Sequence, residues 1–291
     1  MSNELFYPAM YYSWDRGSVS GHRSFRTANR VRLLALFVAA VGGAASWRTG
    51  EVDLFGVLGL VSFAVALATG AYLLTIDPEK LWYEARTATE STKTLAWRYA
   101  VGGNPFPGTL PAREADERLV ARLTAVAASL DTVAEPGRDD TNELITEPMR
   151  KLRAAPFDER KAAYLRDRVV AQEGWYRDTA RADARRFRTL TSVAIALEFA
   201  GLTGAGLKAF GVLDVDLLGV FGAAAAGLAA WIQAQRYAET TRSYTTTYRE
   251  LGLVKAHLAA VAEDRWPGFV EDAEATVTRE HSLWRATKGL A

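Results

Sequence analysis

The sequence predicts an all-α membrane protein: two tandem transmembrane helical hairpins, four spans in all, with long cytoplasmic helices that form a coiled-coil-like bundle. Three observations predict it. Leu54 to Ile76, LFGVLGLVSFAVALATGAYLLTI, carries no charge over 23 residues, and at ~1.5 Å rise per residue this covers the ~30 Å hydrocarbon core of a bilayer. A second apolar pair, at about 190–208 and 217–233, repeats the layout of the first pair at about 33–47 and 54–76. After the last apolar run, Tyr237, Tyr244, Leu251 and Leu258 recur every seven residues, the spacing of a helix seam.

Composition narrows the function classes. The chain has 291 residues, a formal net charge of +1 and no cysteine. Near-neutral charge gives no global pull on nucleic acid, so no nucleic-acid partner is expected. Disulfides, thiolate nucleophiles and cysteine metal sites are excluded. His22, His257 and His281 lie in separate regions, so neither a metal site nor a cofactor is expected. The near-zero mean hydropathy averages very apolar and very charged blocks. Because the start of the chain is too long and polar for a signal-peptide n-region, an uncleaved, internally anchored protein is expected.

Taken in order, residues 4–15, ELFYPAMYYSWD, suit either a short helix packed on the protein or an interfacial helix on lipid, where Tyr and Trp are favoured. Arg16, Arg23, Arg26, Arg30 and Arg32 form a basic block before span one. That span is short, but Arg32 can snorkel and Trp47 can sit at the far interface. The link from Arg48 to Asp53 forces an antiparallel return. Asp77 is a suitable N-cap with Pro78 at the first helical position, so a new helix starts there and runs to about Tyr99. Gly102-Gly103-Asn104-Pro105 ends it. Residues 112–133 read as an amphipathic helix with Leu119, Leu123, Val126, Leu130 and Val133 on one stripe. A linker at 135–148 divides a first unit, 1–134, from a second, 149–291.

From Phe157 to Phe210 one helix passes from a charged first part into span three. Beyond span four no breaker occurs until Pro267, so the helix is expected to continue out of the membrane. Leu165, Val169 and Tyr176 on the charged part of the preceding helix are the natural partners of its seam. Glu-rich stretches at 112–118 and 263–274 read as solvated faces. The hairpins also repeat in sequence: Phe25-Arg26-Thr27 matches Phe187-Arg188-Thr189, and Asp53-Leu54-Phe55-Gly56 matches Asp216-Leu217-Leu218-Gly219. Arginine and lysine flank the spans on the side opposite both turns, which predicts a multi-pass inner-membrane protein with both termini cytoplasmic.

Glu198 is the candidate pore-lining residue. It stands in span three, ten residues from both Arg188 and Lys208, where an ionisable group is costly and faces protein or water. A ring of carboxylates around a pore in an oligomer is one reading; a protonated or hydrogen-bonded Glu between helices of one protomer is the other. Small residues crowd spans one and four, Gly42, Gly43 and Ala44, then Gly219, Gly222, Ala223, Ala226 and Gly227, and permit close helix contact. Catalytic templates are missing. Gly201-x-x-Gly204-x-Gly206 lies in an apolar helix with no preceding strand and no following Lys-Ser/Thr, and no Ser-His-Asp arrangement can be assembled. No enzyme activity and no catalytic residue is expected.

Residues 85–99, ARTATESTKTLAWRY, followed by Asn104-Pro105-Phe106 and preceded by Leu5-Phe6-Tyr7-Pro8-Ala9, resemble the SLATT superfamily, the two-transmembrane effector domains found beside SMODS nucleotidyltransferases and SLOG sensors. Trp175-Tyr176 through Arg236-Tyr237-Ala238-Glu239 is similar to a second such unit of a different subgroup. The resemblance implies a bacterial conflict or antiphage effector, a homo-oligomer in membrane lipid that permeabilises or perturbs the membrane on a nucleotide or partner signal. A signal synthase or sensor encoded nearby would be its partner. The alternative is a non-conducting scaffold that recruits a cytosolic partner through its helical bundle. The family's polar signature maps to Arg86, Glu90, Lys93 and Trp97, which either contact a trigger or neighbouring subunit or form internal salt bridges.

Overall fold

The computed structural model describes residues 7–44, 48–49, 51–130, 143–213 and 215–287. Helix α1 runs Ala9–Ala44. A two-residue antiparallel ladder, β1 (Arg48–Thr49) with β2 (Val52–Asp53), closes the first turn with Arg48 opposite Asp53. Helices α2 (Leu54–Ile76), α3 (Pro78–Val101), α4 (Ala112–Ala128), α5 (Glu147–Ala154) and α6 (Phe157–Ala163) follow. A π-helical segment, Tyr164–Val170, leads without a break into α7 (Ala171–Ala209), and α8 (Leu217–Gln235), α9 (Tyr237–Leu258) and α10 (Trp266–Thr287) complete the order.

Local chemistry accounts for most of these boundaries. The Asp53 carboxylate accepts from the Phe55 and Gly56 amides at 3.0 and 3.3 Å, and Asp216 accepts from the Gly219 amide at 3.4 Å. Each apolar helix therefore starts on an aspartate that satisfies its otherwise unpaired first N–H groups. Each also ends on a non-glycine residue in the left-handed region, Asp77 at φ 42° and Arg236 at φ 51°. Pro78 opens α3 as expected, but the left-handed backbone makes Asp77 the C-terminal cap of α2.

Several expectations shift. The aromatic residues after Pro8 and the first apolar run form one helix, α1, because no breaker separates them. The span expected at 33–47 is the end of α1, and its residues 45–47 lie outside the described residues. Among the described residues three helical stretches are long and apolar enough to cross a bilayer: Leu54–Val101, Phe157–Ala209 and Leu217–Leu258. The uninterrupted exit from span four is broken at Arg236. Helix α4 stops at Ala128, short of Leu130; Val133 and most of the linker at 135–148 lie outside the described residues.

The chain divides into two compact units, and each draws segments from both halves of the sequence. The first, here the head unit, comprises residues 1–21, 79–180 and 242–291. Its core holds Trp97, Phe106, Leu119, Met149, Tyr164 and Trp266, all at most 2% exposed. The end of α3 is tied down by donors: the Val101 carbonyl accepts from Arg160 at 3.0 Å and from the Trp266 indole at 2.8 Å. Arg153 donates to the carbonyls of Tyr99, Phe106, Pro107 and Leu110 at 2.8–3.2 Å. Gly102 is required here, since its φ is 78° and a Cβ would stand 2.5 Å from Arg160 Nη1.

The second, the membrane unit, comprises residues 22–78 and 181–241. Its surface carries large apolar side chains; Leu60, Leu67 and Leu74, seven residues apart along α2, are 70–85% exposed. Glycines bring backbones together within each hairpin. A Cβ on Gly42 would stand 2.7 Å from the Phe55 carbonyl oxygen, and one on Gly204 would stand 2.5 Å from Leu217 Cβ. The second hairpin thus packs through Gly201 and Gly204 of α7. Gly222 and Gly227 of α8, expected to mediate contact, have nothing within 4 Å of a built Cβ.

Candidate functional site

In the head unit, four residues singled out from sequence lie along α3, and the structure joins them to partners that sequence reading missed. Arg86 pairs with Glu90 at 2.9 Å, and Glu90 is buried. The Arg86 guanidinium also stands 5.9 Å from the Trp175 ring centre. The Trp97 indole donates to the Tyr7 hydroxyl at 2.9 Å, and its ring meets Tyr164 edge-on at 6.0 Å. Lys93 forms no ion pair of its own among the described residues. Its pKa is lowered, first by burial and then by the charge of Arg168, with Glu90 opposing.

At the centre is a pair that the expectation of a solvated 263–274 face did not foresee. Glu274 is 0% exposed and Arg168 is 2% exposed. Arg168 donates to the Glu274 carboxylate from Nε at 2.9 Å and from Nη2 at 2.6 Å, a two-point contact. Thr94 and Tyr164 hydroxyls donate to the same carboxylate, each at 2.9 Å. Burial opposes the charge on Arg168, but the carboxylate against it holds its pKa above the ordinary value. Burial and the nearby Glu274 charge hold the Tyr164 phenol well above its usual range. One donor, Arg168 Nη1, is buried with no hydrogen-bond partner. Both charges were legible as interruptions of apolar stripes: Arg168 falls three residues after Leu165, and Glu274 between Val270 and Val277.

The seam expected on α9 faces the predicted partner in part. Tyr244 lies 5.2 Å from Tyr176 ring to ring, and Tyr176, Leu251 and Val277 form one cluster. Leu258 and Val169 belong to the main core of the head unit.

In the membrane unit, Glu198 of α7 is exposed. Its neighbours Ile195, Phe199 and Leu202 are 59%, 70% and 68% exposed. Ala194 and Gly201, four residues before and three after Glu198, are buried with Gly204, so Glu198 stands at the border between the buried and the exposed stripe of α7. Among the described residues Glu198 makes no hydrogen bond or ion pair. Lys208, further along α7, lies 3.8 Å from Asp216. No group of three or more histidine or carboxylate side chains converges as a metal site would require, among the described residues.

Comparison with known proteins gives two matches that tile the chain. Residues 8–161 match the model of SMODS and SLOG-associating 2TM effector domain 3. Residues 164–284 match that of SMODS and SLOG-associating 2TM effector domain 1. The two abut where α6 passes into the π-helical segment. No match was found among curated proteins or among solved structures.

Proposed function

The chain belongs to the SLATT family of SMODS and SLOG-associating two-transmembrane effector domains, as two tandem units, and from that premise we propose that it is a membrane effector of a bacterial conflict or antiphage system. Copies assemble in the inner membrane, each crossing it four times with both termini cytoplasmic. The assembly permeabilises or perturbs the membrane when a nucleotide signal, or a synthase or sensor encoded nearby, rearranges the head unit. In this reading the α9 seam packs as a coiled coil that keeps the resting state closed, and the protein has no catalytic role.

The observation that carries the proposal is Glu198. An exposed carboxylate at the edge of a stripe of exposed isoleucine, phenylalanine and leucine is costly in hydrocarbon. Water in a pore, or a second copy of the chain, removes that cost. The head unit supports a trigger: Lys93, with no ion pair of its own among the described residues, and the unfilled donor of Arg168 are groups on which a bound anion or a docked partner helix would act.

Induced expression in bacteria, read with a membrane-potential dye, tests this. Expression together with the activating signal is expected to depolarise cells, with Glu198→Ala weakening the effect and Glu198→Lys abolishing it or changing ion preference. Purified protein in liposomes should pass ions in the same order. No depolarisation and no flux under any trigger, with a cytosolic protein retained on purification, would replace this reading with the scaffold.

A further inference from the structure

The membrane unit contains a groove of about 360 Å³ that none of the family signature explains. One wall is α1, with Arg30, Leu33, Leu34 and Phe37. The other is α8, with Ala223, Gly227 and Trp231, and Leu197 of α7 completes the lining. The depth comes from side chains that are missing: Ala223 and Ala224 are small, and a Cβ on Gly227 would meet nothing within 4 Å. The groove is ordered from end to end. At one end the Arg30 guanidinium lies 5.2 Å from the centre of the Trp231 ring. From there to Phe37 the α1 wall is apolar, a run on the order of 10 Å at the helical rise.

Charge is concentrated at the Arg30 end. Arg23, Arg26 and Arg30 follow at spacings of three and four on α1, so they share one face. None has a carboxylate partner among the described residues, and Arg26 Nε is buried without an acceptor. A cation–aromatic pair opening onto an apolar trough inside a membrane-embedded unit has the polarity of a phospholipid: an anionic headgroup at one end and an acyl chain at the other.

We propose that this groove is a binding site for an anionic phospholipid, its phosphate on Arg30 and one acyl chain along Leu33, Phe37, Ala223 and Gly227. Arg30 is well suited to the phosphate because a guanidinium offers several donors in a fixed plane, and Trp231 holds it at the mouth. The inference rests on the membrane reading above.

The test uses the full chain in phosphatidylcholine vesicles containing phosphatidylglycerol or phosphatidylcholine with brominated acyl chains, and reads the tryptophan emission lost in a Trp231→Phe variant. Trp231 should be quenched with about a fivefold preference for the glycerol lipid, the order expected of one arginine near an anionic headgroup. Arg30→Gln should bring that preference close to unity, and Arg30→Lys should retain part of it. Ala223→Leu, which fills the trough, should reduce quenching by both lipids while the helical circular dichroism stays intact.

Equal quenching by the two lipids in the native chain, or an unchanged preference in Arg30→Gln, overturns the site while leaving the protein embedded. Quenching by neither lipid overturns the membrane reading itself. If Ala223→Leu disrupts crosslinked oligomers and leaves the lipid preference unchanged, a second copy fills the groove and the lipid site is wrong.

Discussion

Arg168 and Glu274 carry the largest single stake in the head unit. Removing one partner of a buried ion pair leaves the other charged and dry, which costs about 3–5 kcal/mol. Glu274→Gln is therefore expected to lower the melting temperature sharply in detergent, because Arg168 keeps its charge. The double change Arg168→Met with Glu274→Leu should lose less than Glu274→Gln alone, since it removes the charge along with its partner. Melting curves of the three proteins decide this. Tyr7 supplies a pH signature. Burial pushes its phenol from 10.0 up to about 12, so the folded state favours the protonated form. The stability this contributes is complete below pH 10 and lost as pH rises from 10 towards about 12. Tyr7→Phe should remove that alkaline loss while costing about 1 kcal/mol at neutral pH for the Trp97 hydrogen bond. At this scale the sequence told half the story. Arg86, Glu90, Lys93 and Trp97 came from the resemblance to the family's polar signature, and helical spacing puts the first three on one face. Trp97 bonds Tyr7 90 residues away, and Thr94 beside them meets Arg168 and Glu274 74 and 180 residues away; only a charge falling on an apolar stripe marked that buried pair.

Between residue and whole lie the helix ends. Apolar length, capping aspartates and the Gly-Gly-Asn-Pro break were all readable, because they depend on neighbours in the chain. The bend at Arg236 was not, since arginine is a good helix former and carries no breaker signal. Its left-handed backbone, like that of Asp77, is imposed by packing and costs about 1 kcal/mol or more against glycine. Arg236→Gly is thus expected to be neutral or to stabilise by up to about 1 kcal/mol, although it deletes the 2.6 Å pair with Glu239, which is partly exposed and worth little. A β-branched residue there should destabilise by about 1–2 kcal/mol. Chemical denaturation of Arg236→Gly and Arg236→Val side by side checks both signs. The contact glycines divide in the same way: counting small residues favoured α1 and α8, and Gly42 of α1 does make the approach in the first hairpin, while in the second it is made by Gly201 and Gly204 of α7.

For the molecule as a whole, the tandem family architecture was readable because the hairpins repeat in both turn and flank. The division into a head unit and a membrane unit was not, since it interleaves distant segments and no single linker marks it. Topology is open to a clean measurement because the chain has no cysteine. Single variants Glu51→Cys and Leu213→Cys, in the two turns, should react with a membrane-impermeant maleimide in intact spheroplasts. Arg113→Cys and Arg249→Cys should react only after lysis. Any other pattern refutes four spans with cytoplasmic termini.

The same interleaving sets an order of events during synthesis. Glu274 leaves the ribosome 106 residues after Arg168, a delay on the order of ten seconds at bacterial translation speeds. Both apolar hairpins emerge in that time or before it. The nascent protein therefore hands its hydrophobic segments to the translocon while the guanidinium of Arg168 is still hydrated, and the head locks only once those segments are already in place.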